Sequence, residues 1–278
     1  MPEDRSKVLQ SWGESGHYWE KYGPTIRGMF EPVAVALMRA VGASANSRVL
    51  DVAAGIGEPS LTIARQLPSA TVWCTDPAAS MIEAAKKEAS RAKLSNVQFA
   101  QCLADALPFD DEYFDGVVSR FGIMFFPDPE AGVREMLRAL KEGGRVAAAV
   151  WCAPEANPFH FVISDALAKY IPPVPAGPDD PTAFRFAPPG KLAAIFERAG
   201  ARDVSENVLR FTIEAQKTPE EFWQMRAEMS DANREKLARL TAGQRQNLQR
   251  DVLEVLPQFS SGGMMRFPAE VLIVRGTR

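Results

Sequence analysis

The stretch from Arg48 to Ser60 holds an acid and two glycines in an order that suits a ligand-binding loop. Asp51 lies in the apolar run RVLDV, and Gly55 and Gly57 follow it before a pattern typical of a helix. Loops of this kind, between a strand and a helix, commonly bind nucleotide-like cofactors because their small residues let the ligand approach the backbone. The kind of cofactor then depends on the residues that begin the helix.

Those residues argue against a dinucleotide. A dinucleotide fingerprint has its third glycine at the position that Ser60 occupies here, and Glu58 and Pro59 stand before it. A carboxylate at Glu58 would complement the helix dipole but repel a diphosphate. S-adenosylmethionine carries no phosphate, and Asp51 could hold its ammonium group directly or through water. The sequence therefore predicts S-adenosylmethionine in preference to NAD or FAD.

Two later segments follow predicted strand ends and supply candidates for binding a second molecule, the acceptor. Arg120 follows the predicted fourth strand, which ends near Ser119, and could orient a carboxylate or a phenolate. Arg120 could instead form a salt bridge on the surface, and the aromatic candidates could be ordinary core residues. Trp12 and Trp19 could cover the cofactor from the N-terminal side. The candidate acceptor-binding residues are Tyr18, Tyr22, Arg120, Phe121, Met124, Trp151 and Phe159.

Alternating strand-like and helix-like segments predict the elements that position these residues. From Arg48 onward, the runs RVLDV, TVWCT, VQFAQ, FDGVVS and RVAAAVW are predicted strands with helices between most of them. DVSENVLRFTIEA and AEVLIVRG are predicted strands near the C-terminus. This pattern predicts an α/β fold with a doubly wound, mostly parallel sheet of seven strands. Gly143 and Gly144 are expected to end the helix before the fifth strand, and an N-terminal helix could begin at Pro32.

The chain is predicted to comprise a core with helical and irregular covers. Nine of the 21 prolines lie between Ala153 and Gly190, which indicates an irregular insertion with a short helix. The predicted parts are an N-terminal helical cover (1–45), a Rossmann-like cofactor-binding core (46–152), substrate-covering insertions (153–190 and 218–258) and the remainder of the sheet domain (191–217 and 259–278).

Composition excludes several classes of function. The net charge of −3 and the pI of about 5.6 do not favour a nucleic-acid-binding face. The three cysteines and two histidines are too scattered for a metal site. No apolar run reaches the roughly 18 residues that suggest a membrane span, and the charged N-terminus is unlike a signal peptide. We therefore expect a cytoplasmic protein with a small-molecule partner, and no metal; the sequence does not indicate an oligomeric state.

Over about Ser47–Trp151 the chain resembles the class I S-adenosylmethionine-dependent methyltransferases. The resemblance is closest to the small-molecule branch that includes the quinone-biosynthesis C-methyltransferases. It rests on four ordered segments: VLDVAAGIGEPSLTIA, TVWCTDPAASMIEAA, QCLADALPFDDEYFDGVVS and LKEGGRVAAAVW. Ala53 stands where the first glycine is usual in the family, a departure expected to cost little.

The resemblance implies roles for residues after the first three strands. Asp76 would accept hydrogen bonds from both ribose hydroxyls. Pro77 and Met81 would flank the adenine. Asp105 would accept from the adenine amino group, and Ala106 would offer its backbone N–H. The predicted cofactor-binding residues are Asp51, Ala53, Gly55, Gly57, Asp76, Pro77, Met81, Asp105, Ala106 and Ser119.

The predicted activity is methyl transfer from S-adenosylmethionine to a small, largely apolar acceptor, an anionic one included, with S-adenosylhomocysteine as the product. Arg120 and His160 are the candidate catalytic residues. A base is needed only when the acceptor arrives protonated, and a lone histidine is more often structural, so we expect alignment to dominate. The alternatives are a nicotinamide-dependent oxidoreductase and a non-catalytic methyltransferase-like binding module.

Overall fold

A computed structural model describes residues 2–173 and 175–278, with side chains from residue 16 onward except at 174, 231 and 232. Its strands are β1 (Arg48–Val52), β2 (Thr71–Asp76), β3 (Val97–Gln101), β4 (Phe114–Arg120), β5 (Leu140–Trp151), β6 (Arg202–Ala215), β7 (Ser260–Ser261) and β8 (Met264–Thr277). Its α-helices are α1 (Pro2–Ala40), α2 (Ser60–Gln66), α3 (Ala79–Arg91), α4 (Pro129–Ala139), α5 (Pro158–Ala168), α6 (Lys191–Arg198), α7 (Pro219–Met229), α8 (Asp231–Arg239) and α9 (Ala242–Val255).

The strands form one sheet in the order β3-β2-β1-β4-β5-β8-β6. The first five strands pair in parallel, and β8 pairs antiparallel with both β5 and β6. The predicted doubly wound, mostly parallel sheet is confirmed, while the two-residue strand β7, which pairs with β8, was not predicted. The order reverses between β1 and β4, and ligands of such sheets bind beyond the carboxyl ends of the strands at this point.

The N-terminal segment differs from the prediction of a helix that begins at Pro32. A single helix of 39 residues contains both Pro24 and Pro32. Proline in a helix removes a hydrogen bond and costs about 3 kcal/mol. Here the apolar face of α1 offsets that cost, because Ile26, Val33 and Leu37 are almost completely buried.

Strand β5 begins earlier than the glycine pair suggested. The preceding helix ends at Ala139, and β5 begins at Leu140. The register with β4 shifts, because Leu140 lies opposite Phe114 while Arg145 lies opposite Gly116. The glycines therefore lie within an irregular stretch of the strand and do not end the helix.

Two insertions predicted to cover the substrate pack against each other. Helix α5 contacts α7 and α9, and α7 also contacts α1. Capping boxes at Thr218 and Thr241 begin α7 and α9. The division into covers and core stays a prediction. Among the described residues, none of the helices has the length and apolar character that a membrane crossing requires.

Candidate functional site

The carboxylate of Asp51 lies in the interior at the end of β1. Its Oδ2 accepts hydrogen bonds from the backbone N–H and the hydroxyl of Ser60, at 2.8 and 2.6 Å. Its Oδ1 is buried and has no hydrogen-bond partner among the described residues. Burial raises the pKa of Asp51 to about 7, although the bonds from Ser60 and the charge of Arg120 oppose the rise. Asp51 thus caps the start of α2 with one oxygen, while the other has no partner among the described residues.

Asp76 ties the glycine-containing loop to the end of β2. Its Oδ2 accepts from the Gly55 N–H and its Oδ1 from the Ala78 N–H, each at 2.9 Å. Burial raises its pKa to about 6 against the effect of these two bonds. A carboxylate has about four lone-pair sites, so Asp76 can still accept further hydrogen bonds.

The loop itself approaches the end of β4 closely. A Cβ atom added at Gly122 would lie 2.7 Å from the Cβ of Ala53 and 2.9 Å from the Oγ of Ser119, which is buried. Ala53 has a φ of 58°, in the left-handed region. An alanine there costs about 1–2 kcal/mol, so the expectation that replacing the usual glycine costs little is wrong. Gly122 is a tight packing position that sequence reasoning missed.

Glu58 is paired, which changes one step of the sequence argument. Its Oε1 lies 2.8 Å from Nε of Arg27, whose Nη2 lies 2.9 Å from Oε2 of Glu88. Both carboxylates are buried. Arg27 offsets their charge, so Glu58 argues against a bound diphosphate more weakly than expected. The absence of the third glycine still argues against a dinucleotide.

The residues expected around the adenine differ in their burial and in their hydrogen-bond partners. Met81 is buried on α3, and Pro77 is partly exposed with its carbonyl accepting from Gln101 at 2.9 Å. Asp105 is partly buried. The backbone N–H of Ala106, which was predicted to face the adenine, instead donates to the Leu103 carbonyl at 3.2 Å, because the chain turns there. In this conformation that N–H is not offered to an adenine.

Aromatic rings from four segments meet beyond the ends of β4 and β5. Phe121 and Trp151 stack with their centroids 4.4 Å apart and their planes within 1° of parallel. Phe30 of α1 presents its edge to both, at 5.6 and 5.7 Å, and contacts Phe159 of α5 at 5.9 Å. We call these four residues the aromatic cluster. Sequence analysis named Phe121, Trp151 and Phe159 but not Phe30.

Arg120 lies between the loop acids and the aromatic cluster. Its Nε and Nη1 are buried and have no partner among the described residues, and its Cζ lies 5.9 Å from the Phe30 centroid. Burial lowers its pKa, while the negative charges of Glu58 and Asp51 raise it. Among the residues that the structure describes, Arg120 does not form the surface salt bridge considered above.

His160 lies against the aromatic cluster in an apolar environment. Its ring is 4.4 Å from that of Trp151 and 5.2 Å from that of Phe184. Burial, with a smaller contribution from the positive charge of Arg226, lowers its pKa to about 3. His160 is neutral near pH 7 and is a weak base.

Three other acceptor candidates lie elsewhere. The Tyr22 hydroxyl donates to Oε2 of Glu228 on α7 at 2.7 Å, and Cζ of Arg234 on α8 lies 4.5 Å from the Tyr18 ring. Both tyrosines therefore lie where α1 meets α7 and α8, because their polar partners are on those helices. Met124 is buried in the core after β4. The side chain of Trp12 lies outside the described residues.

Comparison with known proteins agrees with this geometry. A family model described as a methyltransferase domain matches residues 49–144. The ubiquinone/menaquinone biosynthesis C-methyltransferase UbiE of Geobacter sulfurreducens is 30% identical over 182 residues, which cover 61% of this chain and 70% of that protein. The chain belongs to the class I S-adenosylmethionine-dependent methyltransferases. S-adenosylmethionine is the cofactor of this family, as the loop between β1 and α2 predicted.

Other similarities of this chain are shorter or structural. An uncharacterized protein of Mycobacterium tuberculosis is 38% identical over 120 residues, 43% of each chain, so the chain spans less than half of that relative. The YcgJ protein of Bacillus subtilis has a TM-score of 0.55 at 18% identity, covering 88% of this chain and 97% of that one. The [4+2]-cyclase SpnF has a TM-score of 0.57 at 16% identity, covering 96% of both. These structures share the fold, which alone does not determine the reaction.

Proposed function

We propose that this chain transfers the methyl group of S-adenosylmethionine to a small, planar, largely apolar acceptor. The position of Arg120 carries the proposal. Its guanidinium group is within electrostatic range of Asp51 and Glu58 and also faces the Phe30 ring. The loop acids and the aromatic cluster are therefore parts of one site at the carboxyl ends of the strands.

The charged groups fit the amino-acid end of the cofactor. Oδ1 of Asp51 would accept from the ammonium group, and Nε and Nη1 of Arg120 would donate to the carboxylate. All three atoms are buried without a partner among the described residues, and such groups cost free energy until they are paired. This assignment moves Arg120 from the acceptor, where the sequence suggested it, to the cofactor. Asp76 would bind the ribose hydroxyls, as the family resemblance implies.

The cofactor supplies a methyl group activated by a positively charged sulfur. The acceptor's nucleophilic atom donates the electron pair of the new bond to carbon, and the pair of the broken C–S bond stays on sulfur. Phe121 and Trp151 would hold a planar acceptor in line with that bond and exclude water, and alignment of this kind can supply about 7–11 kcal/mol. His160 is too weak a base to accept the acceptor's proton efficiently, so we infer an acceptor that is easily ionised.

A quinone-related ring is the acceptor that best suits these features. The relative from Geobacter sulfurreducens is named a ubiquinone/menaquinone biosynthesis C-methyltransferase. The rings of the aromatic cluster can stack on a planar substrate, and a hydroquinone, with a pKa near the phenol value of about 10, supplies a small ionised fraction that is nucleophilic at ring carbon. We therefore propose a hydroquinone-type or related phenolic acceptor.

The test is product analysis with methyl-labelled S-adenosylmethionine. The full chain is incubated with the labelled cofactor and 1,4-naphthohydroquinone under argon, and in parallel with a metabolite extract. We expect a product heavier by one labelled methyl group, with Asp76→Ala as the impaired control. Binding of S-adenosylhomocysteine without any labelled product would support the non-catalytic module instead.

A further inference from the structure

Arg226 on α7 holds a positive charge in an apolar environment. The side chain is partly buried, and its Cζ lies 4.1 Å from the centroid of the Phe159 ring. No hydrogen bond or ion pair within the described part of the chain involves Arg226. Burial alone lowers the pKa of Arg226 to about 10, so the group stays charged near pH 7.

Two other arginines in partly buried positions have carboxylate partners, whereas Arg120 has none among the described residues. Arg27 pairs with Glu58 and Glu88, and Arg138 pairs with Glu135 and Asp111. The guanidinium nitrogens of Arg226 retain some contact with solvent, and the cation–π contact with Phe159 supplies only part of the attraction that a carboxylate partner would give. Arg226 therefore presents a charge that solvent reaches, beside the aromatic cluster, and that no carboxylate among the described residues neutralises.

The neighbours of Arg226 place it on the acceptor side of the site. Phe159, whose ring it faces, belongs to the aromatic cluster through Phe30. Its charge also lowers the pKa of His160, whose ring contacts Trp151. The pKa of Arg120, by contrast, is raised by the negative charges of Glu58 and Asp51 on the cofactor side. Each arginine thus faces the ring of a different member of the cluster.

We propose that Arg226 is the anion-binding residue of the acceptor pocket, and that the planar phenolic acceptor carries a carboxylate on its ring. The term acceptor rests on the proposed methyl transfer, whereas the anion site rests on Arg226 and the rings. A guanidinium group binds a carboxylate through two parallel hydrogen bonds, and the same planar group can stack on a ring. The carboxylate would thereby fix which edge of the ring faces the methyl group.

The experiment compares two probes of the same shape, 2-naphthoate and its neutral amide, 2-naphthamide. Calorimetry measures their dissociation constants for the full chain saturated with S-adenosylhomocysteine. We expect naphthoate to bind at least about tenfold more tightly, because a hydrogen bond to a charged group is worth that much or more. Arg226→Gln should remove this preference and Arg226→Lys should retain part of it. Arg250→Gln, at an exposed position of α9, should leave it unchanged.

Equal affinities of the two probes for the wild type, or a preference that persists in Arg226→Gln, would overturn the proposal. If Arg226→Gln fails to fold, the wild-type ratio and the reduced ratio in Arg226→Lys still decide. A separate titration with S-adenosylhomocysteine distinguishes the two claims. If S-adenosylhomocysteine does not bind but the naphthoate preference is intact, the methyl transfer is refuted and the anion site is supported. If S-adenosylhomocysteine binds but the naphthoate preference is absent, only the anion site is refuted.

Discussion

The proposed cofactor side and the proposed acceptor side of the site are held by different forces. On the cofactor side, Asp51 and Asp76 are fixed by hydrogen bonds from Ser60, Gly55 and Ala78, three of them from backbone N–H groups. On the acceptor side, the rings of the aromatic cluster touch mainly one another. Backbone hydrogen bonds fix positions strictly, while ring contacts tolerate substituents of different shape. This division suits an invariant cofactor and a variable acceptor.

Helix α1 connects the two sides through Arg27 and Phe30. Arg27 pairs with Glu58 at the cofactor loop, and Phe30, one turn further on, contacts Phe121 and Trp151. Substitutions on α1 therefore affect both sides, whereas substitutions at the strand ends affect one.

The largest effect should come from breaking this connection with Arg27→Gln. The side chains of Glu58 and Glu88 are only 2% and 6% exposed and would lose their common partner. Breaking a buried pair costs about 3–5 kcal/mol, and we expect about 2–4 because Arg27 itself is partly exposed. Urea unfolding measures the change. The matched control is Arg266→Gln, whose pair with Glu214 is half exposed and should cost at most about 1 kcal/mol. Equal losses of unfolding free energy in the two variants would contradict the role of Arg27 as the common partner of two buried carboxylates.

The next effect concerns pH and separates the cofactor side from the acceptor side. The pKa values of Asp51 and Asp76 are raised to about 7 and about 6, and the cofactor's ammonium and hydroxyl groups require the ionised forms. As pH falls from 8 to 6, protons compete with the ligand, and affinity for S-adenosylhomocysteine should fall about tenfold, the loss expected one unit below a pKa.

Asp51→Asn should bind S-adenosylhomocysteine more weakly at pH 8 and lose most of this pH dependence. Calorimetry in buffers of different ionisation enthalpy should also detect proton release on binding to the wild type. An affinity that is constant or rises on acidification would show that the raised pKa values are unrelated to ligand binding.

The smallest effect is expected on the acceptor side, at His160. Its lowered pKa of about 3 makes it a weak base, so His160→Gln should keep kcat within about threefold, whereas loss of a true general base costs about 10²–10⁴-fold. His17→Gln, at an exposed position, is the control. The assay uses the acceptor identified by methyl labelling, between pH 6 and 9. A hundredfold loss confined to the His160 variant would show that base catalysis outweighs alignment.

The sequence placed the strand ends that carry the proposed cofactor-binding residues, because the signals for these strands are local. Asp51, Gly55 and Asp76 each lie at or just beyond the end of a strand that can be recognised from its own apolar run. Details that depend on how the chain turns were missed, such as the N–H of Ala106, which a turn engages, and the positive φ of Ala53.

The acceptor side could not be predicted in the same way because its parts are distant in sequence. Phe30 and Phe159 meet only when α1 and α5 pack together, and Arg226 reaches them from α7. Periodicity places Phe30 on the buried face of a helix but does not say what it contacts. Nothing in the sequence distinguishes Arg226 from the arginines that form ion pairs.

The most direct test of the account is a calorimetric titration of the full chain with S-adenosylhomocysteine, in the wild type and in Asp76→Ala. We predict one binding site in the wild type and at least about tenfold weaker binding in the variant, since hydrogen bonds to a charged group contribute about 1.5–3 kcal/mol each. Circular dichroism would show that the variant is folded. Equal affinity in both proteins, or tight binding of NAD in place of S-adenosylhomocysteine, would contradict the account.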